Sequence, residues 1–313
     1  MPLQDAPSQQ PSKSGARLGL MLGAGAVLFW SFGSSLVYMG TRRMGIWRFV
    51  MLASLTSGAV QLVARYAYER NLRTAFCLPW RLWAIPMLCF VLYGLAWPWA
   101  LAIATPSQVF GVNLINYLWP VLTVVFSVWW VPGVRLTTRT VLALTLALAG
   151  LLLANFENVR RVWLADATRA SADLTHYLPY ALAFVAAVTW ALYSTILVRW
   201  RSWAKVFVTS PLGFLCIGLF AWLAIQFSTG ATTPLTPTNA MFAIIYGIGP
   251  LAIGYLLWEI ALPKAPIQTL SLFAAATPVL STVWLCLFMR KAPTELIGAA
   301  LLVSGGVVLS VKK

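Results

Sequence analysis

Acidic residues, histidine and cysteine are all scarce in this chain of 313 residues: seven Asp+Glu, one His and four Cys. The single histidine, His176, sits in a polar connection and leaves almost no room for a histidine-based metal site or a catalytic triad. Cys77, Cys89, Cys216 and Cys286 form no C-x-x-C spacing, so neither a zinc site nor a redox motif is supported. The last three lie in apolar blocks and behave there as small hydrophobes. No G-x-x-x-x-G-K-[ST] loop is present, nor H-E-x-x-H or G-x-S-x-G, which argues against an ATPase and against an intramembrane hydrolase. No cofactor, no metal and no enzymatic activity are expected. Charged residues of both signs amount to only 9% of the chain.

What fills the chain is apolar. Hydrophobic residues make up 60%, and mean hydropathy is +0.82. They come in ten blocks, most near the length of about 20 residues that a helix needs to cross a bilayer core. In lipid each block must satisfy its own backbone hydrogen bonds, and a helix does that. Spans are predicted at Leu18–Met39, Ile46–Val63, Leu82–Ala104, Val109–Val131, Thr140–Asn155, Leu178–Val198, Val206–Phe227, Ala240–Leu262, Ile267–Met289 and Leu296–Val311. Residues 1–16 are polar and rich in Pro, Ser and Gln. They read as a disordered tail and not a signal peptide, because the apolar block starts late and lacks a cleavage pattern. Residues 17–155 then form a first five-helix unit, 156–177 a polar connection, and 178–313 a second five-helix unit.

The two units repeat one another. Trp30-Ser-Phe-Gly-Ser-Ser matches Trp190-Ala-Leu-Tyr-Ser-Thr, and Trp97 matches Trp258, each preceded by a tyrosine (Tyr93, Tyr255) one helical turn earlier. Trp119-Pro120-Val121-Leu122-Thr123 matches Thr277-Pro278-Val279-Leu280-Ser281, and Ala149-Gly150-Leu151 matches Gly305-Gly306-Val307. The offsets (190−30 = 160, 258−97 = 161, 278−120 = 158, 306−150 = 156) stay collinear, as a duplication requires. Five spans per copy is an odd number, so the second copy runs upside down. Inverted repeats are a common build of secondary transporters, with the substrate held between the halves near the midplane. The fold class expected is an all-α polytopic membrane protein, ten transmembrane helices as two inverted five-helix repeats around a central cavity.

Formal charge is +15, from 22 Lys+Arg. The cations sit between apolar blocks, where they orient the protein in a membrane, and nucleic acid is not the expected partner. The side holding the N-terminus collects 14 of the 22 and the other side 8. The positive-inside rule then places both termini in the cytoplasm, although Arg42, Arg43 and Arg48 fall on the opposite side.

Candidate functional residues follow from what lipid penalises. Among the seven acids only Glu259 lies inside a span, and an intramembrane charge is a functional hypothesis by default. It reads either as a proton or cation site or as a structural carboxylate held near its helix end by Lys264 or backbone. Asn113, Asn116 and Pro120 share one stripe of the fourth span, and buried amides need partners. Pro120 and its counterpart Pro278 each remove a backbone donor, loosening the helix four residues earlier. Aromatic residues at matched depths, Trp30, Tyr93, Trp97, Tyr117, Trp119, Trp190, Tyr193, Tyr255 and Trp258, suit the walls of a cavity that stacks on a side chain or holds an ammonium group. Glycines four apart in the first span (Gly15, Gly19, Gly23) read as a close-packing surface.

These motifs resemble the drug/metabolite transporter superfamily in its EamA-type branch: two copies of five spans, each with Trp-x-x-x-Ser in its first span, a mid-span Pro in its fourth and a Gly-rich fifth. The strings Asn116-Tyr117-Leu118-Trp119-Pro120-Val121-Leu122-Thr123 and Gly254-Tyr255-Leu256-Leu257-Trp258-Glu259-Ile260-Ala261-Leu262 are similar to those of the YddG subfamily of aromatic amino-acid exporters. The resemblance implies a cavity lined by spans one, three, four, six, eight and nine. It also implies export of aromatic and other neutral amino acids across a bacterial inner membrane by alternating access. Members often carry an acid before the last span of each repeat. Glu295 holds that place in the second half, but the first has Val134-Arg135-Leu136-Thr137-Thr138, so no matched acidic pair exists. Two rival readings remain: a proton-coupled exporter of lipophilic cations, with Glu259 as the exchanging anion, and a membrane scaffold that moves nothing.

Overall fold

The computed structural model of the protein describes residues 13–70, 80–106, 108–154, 174–200, 209–227 and 235–289, together with Phe156, Arg160 and Leu302. Every regular element among them is helical. Residues 1–12 of the predicted tail, most of the 156–177 connection, Glu295 and all of the tenth span except Leu302 lie outside the described residues, while residues 13–16, expected to be tail, already belong to the first helix.

Helices α1 (Lys13–Ser31) and α2 (Gly33–Met44) form one apolar run with a break at Phe32. Gly45, at φ +76, turns the chain into α3 (Ile46–Glu69). Such a positive φ is unstrained only for glycine. Next come α4 (Trp80–Ile103) and a fourth span split into α5 (Val109–Asn116) and α6 (Trp119–Trp130). The fifth is α7 (Thr138–Ala154). The second half holds α8 (Leu178–Arg199) and α9 (Thr209–Phe227). It continues with α10 (Pro237–Tyr246), whose start has Thr236 accepting from the Asn239 N–H ahead of Pro237 at the first helical position. A π turn (Gly247–Ile253) leads into α11 (Gly254–Ala261). The ninth span is split again, into α12 (Ile267–Ala274) and α13 (Thr277–Met289). Among the described residues seven runs are long and apolar enough to cross a membrane, and Thr138–Gly150 and Ile267–Ser281 are shorter apolar helices.

Nine of the ten predicted spans thus fall on described helices. Both mid-span prolines break their spans: α6 and α13 begin one residue before Pro120 and Pro278. A third irregularity, the π turn at Pro250, was not anticipated. Its warning was present in Gly247-Ile-Gly-Pro250, a cluster of helix breakers inside an apolar run.

The surface confirms the solvent. Large apolar side chains face outward along the helices, among them Met21 at 64% exposure, Leu88 at 59% and Trp129 at 70%. Polar groups, including Ser57, Gln61, Asn116, Ser210 and Thr277, are buried. Water would reverse this arrangement, while a bilayer matches it, so the chain is a multi-pass membrane protein.

Packing joins the two halves closely. Helix α3 lies against α9, α4 against α8, and α1 against α11, while α6 also meets α8 and α13 meets α1. The small residues of the first span serve these contacts: a Cβ on Gly23 would come within 2.5 Å of Leu270, and one on Gly19 within 2.9 Å of Ala265 and Lys264. The glycine stripe seats α1 on its own chain.

The tightest backbone approach is at Gly247, where a Cβ would stand 2.6 Å from the carbonyl oxygen of Ala53 in α3. Backbone cannot swing aside as a flexible side chain can. Gly247→Ala is therefore expected to destabilise by about 1–3 kcal/mol. Gly249→Ala meets only Phe29 at ordinary distance, 3.6 Å, and should leave stability nearly unchanged. Thermal unfolding of both variants in the same detergent checks the pair.

Candidate functional site

The breaks in four spans converge on one place. Trp30 ends α1 next to the Phe32 break, and its indole N–H donates to the carbonyl of Pro250 in the π turn, 3.1 Å away. The ring lies against Trp119 (centroids 6.0 Å), Trp190 (5.6 Å), Tyr255 (5.6 Å) and Trp258 (5.2 Å). Most of these contacts are edge-to-face, the arrangement favoured by ring quadrupoles. Gly254 makes the approach possible, since a Cβ there would meet the Trp30 nitrogen at 2.7 Å.

This ring cluster forms one wall of a cavity lined by residues from six spans. Trp30, Gly33 and Ser34 come from the first, Tyr93 and Trp97 from α4, and Asn116, Tyr117 and Trp119 from the break between α5 and α6. Trp190 comes from α8, Tyr246, Pro250, Leu251 and Tyr255 from the π-turn span, and Thr277 from the start of α13. The rings close on one another and leave a cavity of about 40 Å³, in clefts between them. A second space of about 20 Å³ shares the Tyr93, Trp97 and Tyr255 walls and reaches Phe49, Phe214 and Ile217.

The polar groups in the wall are few and specific. Tyr117 Oη lies 3.2 Å from Ser34 Oγ and also bonds Ser281. The Tyr93 hydroxyl shares this wall with Tyr255 and Asn116. Asn116 Oδ1 and Thr277 Oγ1 are buried and have no hydrogen-bond partner among the described residues. A buried acceptor left without a donor costs about 1–3 kcal/mol, and two of them on one cavity are a ready place for a ligand's donors.

Eight of the eleven aromatic and amide candidates line the cavity, and three stand behind it. Trp258 is fully buried, with its indole donating to Ser194 Oγ at 3.3 Å. Tyr193 turns away and donates to Glu259. Asn113 lies one turn from Asn116, with its own Oδ1 buried and unpartnered. Glu259 is also outside the lining. Its partners are the hydroxyls of Tyr193 and Ser210, in place of the Lys264 or backbone contact considered from sequence. The lining residues that the sequence did not single out are Gly33, Ser34, Tyr246, Pro250, Leu251 and Thr277. Ser34 and Thr277 stand inside the repeat-matched strings, and Tyr246 lies one turn before the Pro250 breaker.

Residues 17–156 match the EamA-like transporter family. The chain is 29% identical over 304 residues to the aromatic amino acid exporter YddG of Ancylobacter novellus, covering 95% of this chain and 97% of that protein. It is 28% identical over 232 residues to the aromatic amino acid exporter YddG of Escherichia coli, covering 71% and 74%. A solved crystal structure, 26% identical, superposes with a TM-score of 0.76 over 95% of this chain and 97% of that one.

Two substitutions separate packing from polar contact in the ring cluster. Trp30→Ala opens a large void and should cost about 3–5 kcal/mol. Trp258→Phe keeps most of the ring bulk, loses the bond to Ser194, and should cost about 1 kcal/mol. Chemical or thermal unfolding in detergent measures both.

Proposed function

We propose that this chain, which is similar to the EamA-like transporters and to the YddG exporters, is a secondary transporter that exports amino acids, aromatic ones among them. The observation that carries this reading is the pairing of aromatic walls with the unpartnered oxygens of Asn116 and Thr277. An α-ammonium group brings three donors to such acceptors, while rings stack on an apolar or aromatic side chain. The names of the relatives point the same way. The space lies in clefts, so the side chain enters as the rings move apart, and Pro120, Pro278 and the Pro250 turn are the joints about which they move.

The inverted ten-helix architecture belongs to the same proposal, with units at 17–155 and 178–313 and both termini in the cytoplasm. Contacts between spans support it. Exchanging the halves maps the second span onto the seventh, the first onto the sixth and the third onto the eighth. The α3–α9 contact then maps onto itself, and α4–α8 maps onto α1–α11. Alternating access follows if the halves rock about the cavity they share.

The lipophilic-cation reading needs an anion in the cavity wall. Glu259 is not there, and its two oxygens are occupied by Tyr193 and Ser210, which favours the amino acid.

Proteoliposomes containing the purified protein should carry labelled tryptophan or phenylalanine in exchange for unlabelled amino acid. Losing one such acceptor removes about 1–3 kcal/mol, so Asn116→Ala and Thr277→Val should each lower substrate affinity by roughly 5- to 150-fold. Absence of substrate-dependent flux from the intact protein would leave only the scaffold reading.

A further inference from the structure

Behind the ring wall, at the end of the molecule where α1 begins, four spans meet around Glu259. The carboxyl group sits in α11. Tyr193 of α8 donates to its Oε1. Ser210 Oγ of α9 lies 2.8 Å from its Oε2 and, at the same time, 2.6 Å from Gln61 Oε1 of α3. The Gln61 amide cannot be turned round. Its Nε2 donates to the carbonyl of Leu251 at 3.3 Å and lies 3.2 Å from Ser57 Oγ, and a carbonyl only accepts. Its Oε1 therefore faces Ser210 as a pure acceptor.

A hydroxyl carries one hydrogen. Ser210 can donate to Gln61 or to Glu259, but not to both. If Glu259 is ionised, one of the two short oxygen–oxygen contacts has no proton in it. If Glu259 is protonated, the chain closes: the carboxylic acid donates to Ser210, Ser210 donates to Gln61, and Gln61 donates to Leu251. We propose that Glu259 is a proton-binding site, and that its proton latches the first half (Gln61) to the second (Ser210, Glu259) on the side of the cavity where the chain starts.

The neighbouring charges supply the second state. Arg65 of α3, one turn beyond Gln61, is close enough to attract a Glu259 carboxylate. Tyr193 is the titratable group facing it from α8. Helix α1, also packed on α11, has Arg17 exposed near its start, and Lys264 follows the end of α11. When the acid releases its proton to water, the carboxylate is held by the Tyr193 hydroxyl, by Arg65 and by the single Ser210 hydrogen, and Gln61 loses its donor. Opening this side thus exchanges a proton. Built on the export reading, the inference makes that export an exchange of amino acid for proton, with Glu259 as the carrier.

Two measurements test it. Infrared titration of the purified protein should show a protonated carboxylic C=O band that disappears in Glu259→Gln, a tractable assignment in a chain with seven acids. This readout does not depend on transport. In proteoliposomes, one proton exchanged per substrate lets a one-unit pH gradient sustain about a 10-fold accumulation. Glu259→Gln keeps a donor towards Ser210. With no proton to release it keeps the latch closed at every pH, so it should lose that accumulation and slow amino-acid counterflow at equal pH by roughly 2- to 10-fold. Absence of the band, or gradient-driven accumulation equal in both proteins, overturns the proton site. Absence of counterflow in the unsubstituted protein overturns the export reading instead, and the infrared band then still decides the proton site.

Discussion

The indole of Trp30 is the contact on which the other features of the site depend. It ends the first helix, fills the centre of the bundle, and touches rings from the fourth, sixth and eighth spans. Its N–H goes to the carbonyl of Pro250, where the helix has already departed from regular geometry. In lipid no water is available to take that bond, so the side chain is fixed by its partner as much as by its bulk. Ser31, the next residue, accepts from the Trp284 indole of the ninth span at 3.0 Å. One short stretch of the first span therefore ties down most of the walls.

The same constraint explains why the spans break where they do. A continuous helix consumes its own donors and acceptors and offers a ligand only side chains. Proline at 120, 250 and 278 releases that grip at three places around a single cavity. The unpartnered oxygens of Asn116 and Thr277 stand at two of these breaks, within a turn of Pro120 and Pro278. Buried polar atoms without partners are rare in native structures, and two of them on one cavity are an argument for a ligand.

Much of this was legible in the sequence, for reasons that are physical. Span positions follow from apolar length, and nine of the ten expected spans fall on described helices. The mid-span breaks at Pro120 and Pro278 follow from the missing N–H. Which aromatic faces the cavity and which stands behind it was not legible. Trp258 and Tyr255 are three residues apart on one helix, and the π turn, together with the Ser194 hydroxyl, decides that Trp258 is sealed away. Glu259 was visible as an anomaly in lipid, but its partners were not. Tyr193 and Ser210 lie 66 and 49 positions away in the chain, and nothing local announces that pairing. Ser34 and Thr277 were quoted inside matched strings, yet serine and threonine are too common in membrane helices to be picked out without coordinates.

The account stands on an amino acid being held between the two halves, in the space that Trp30 borders. An electron cryomicroscopy structure of the protein with tryptophan bound tests this most directly. The account predicts ligand density between Trp30, Tyr93, Trp119 and Trp190, with the ammonium group within hydrogen-bond distance of Asn116 Oδ1. Tryptophan bound elsewhere, with the ring cluster closed and Asn116 untouched, would contradict it.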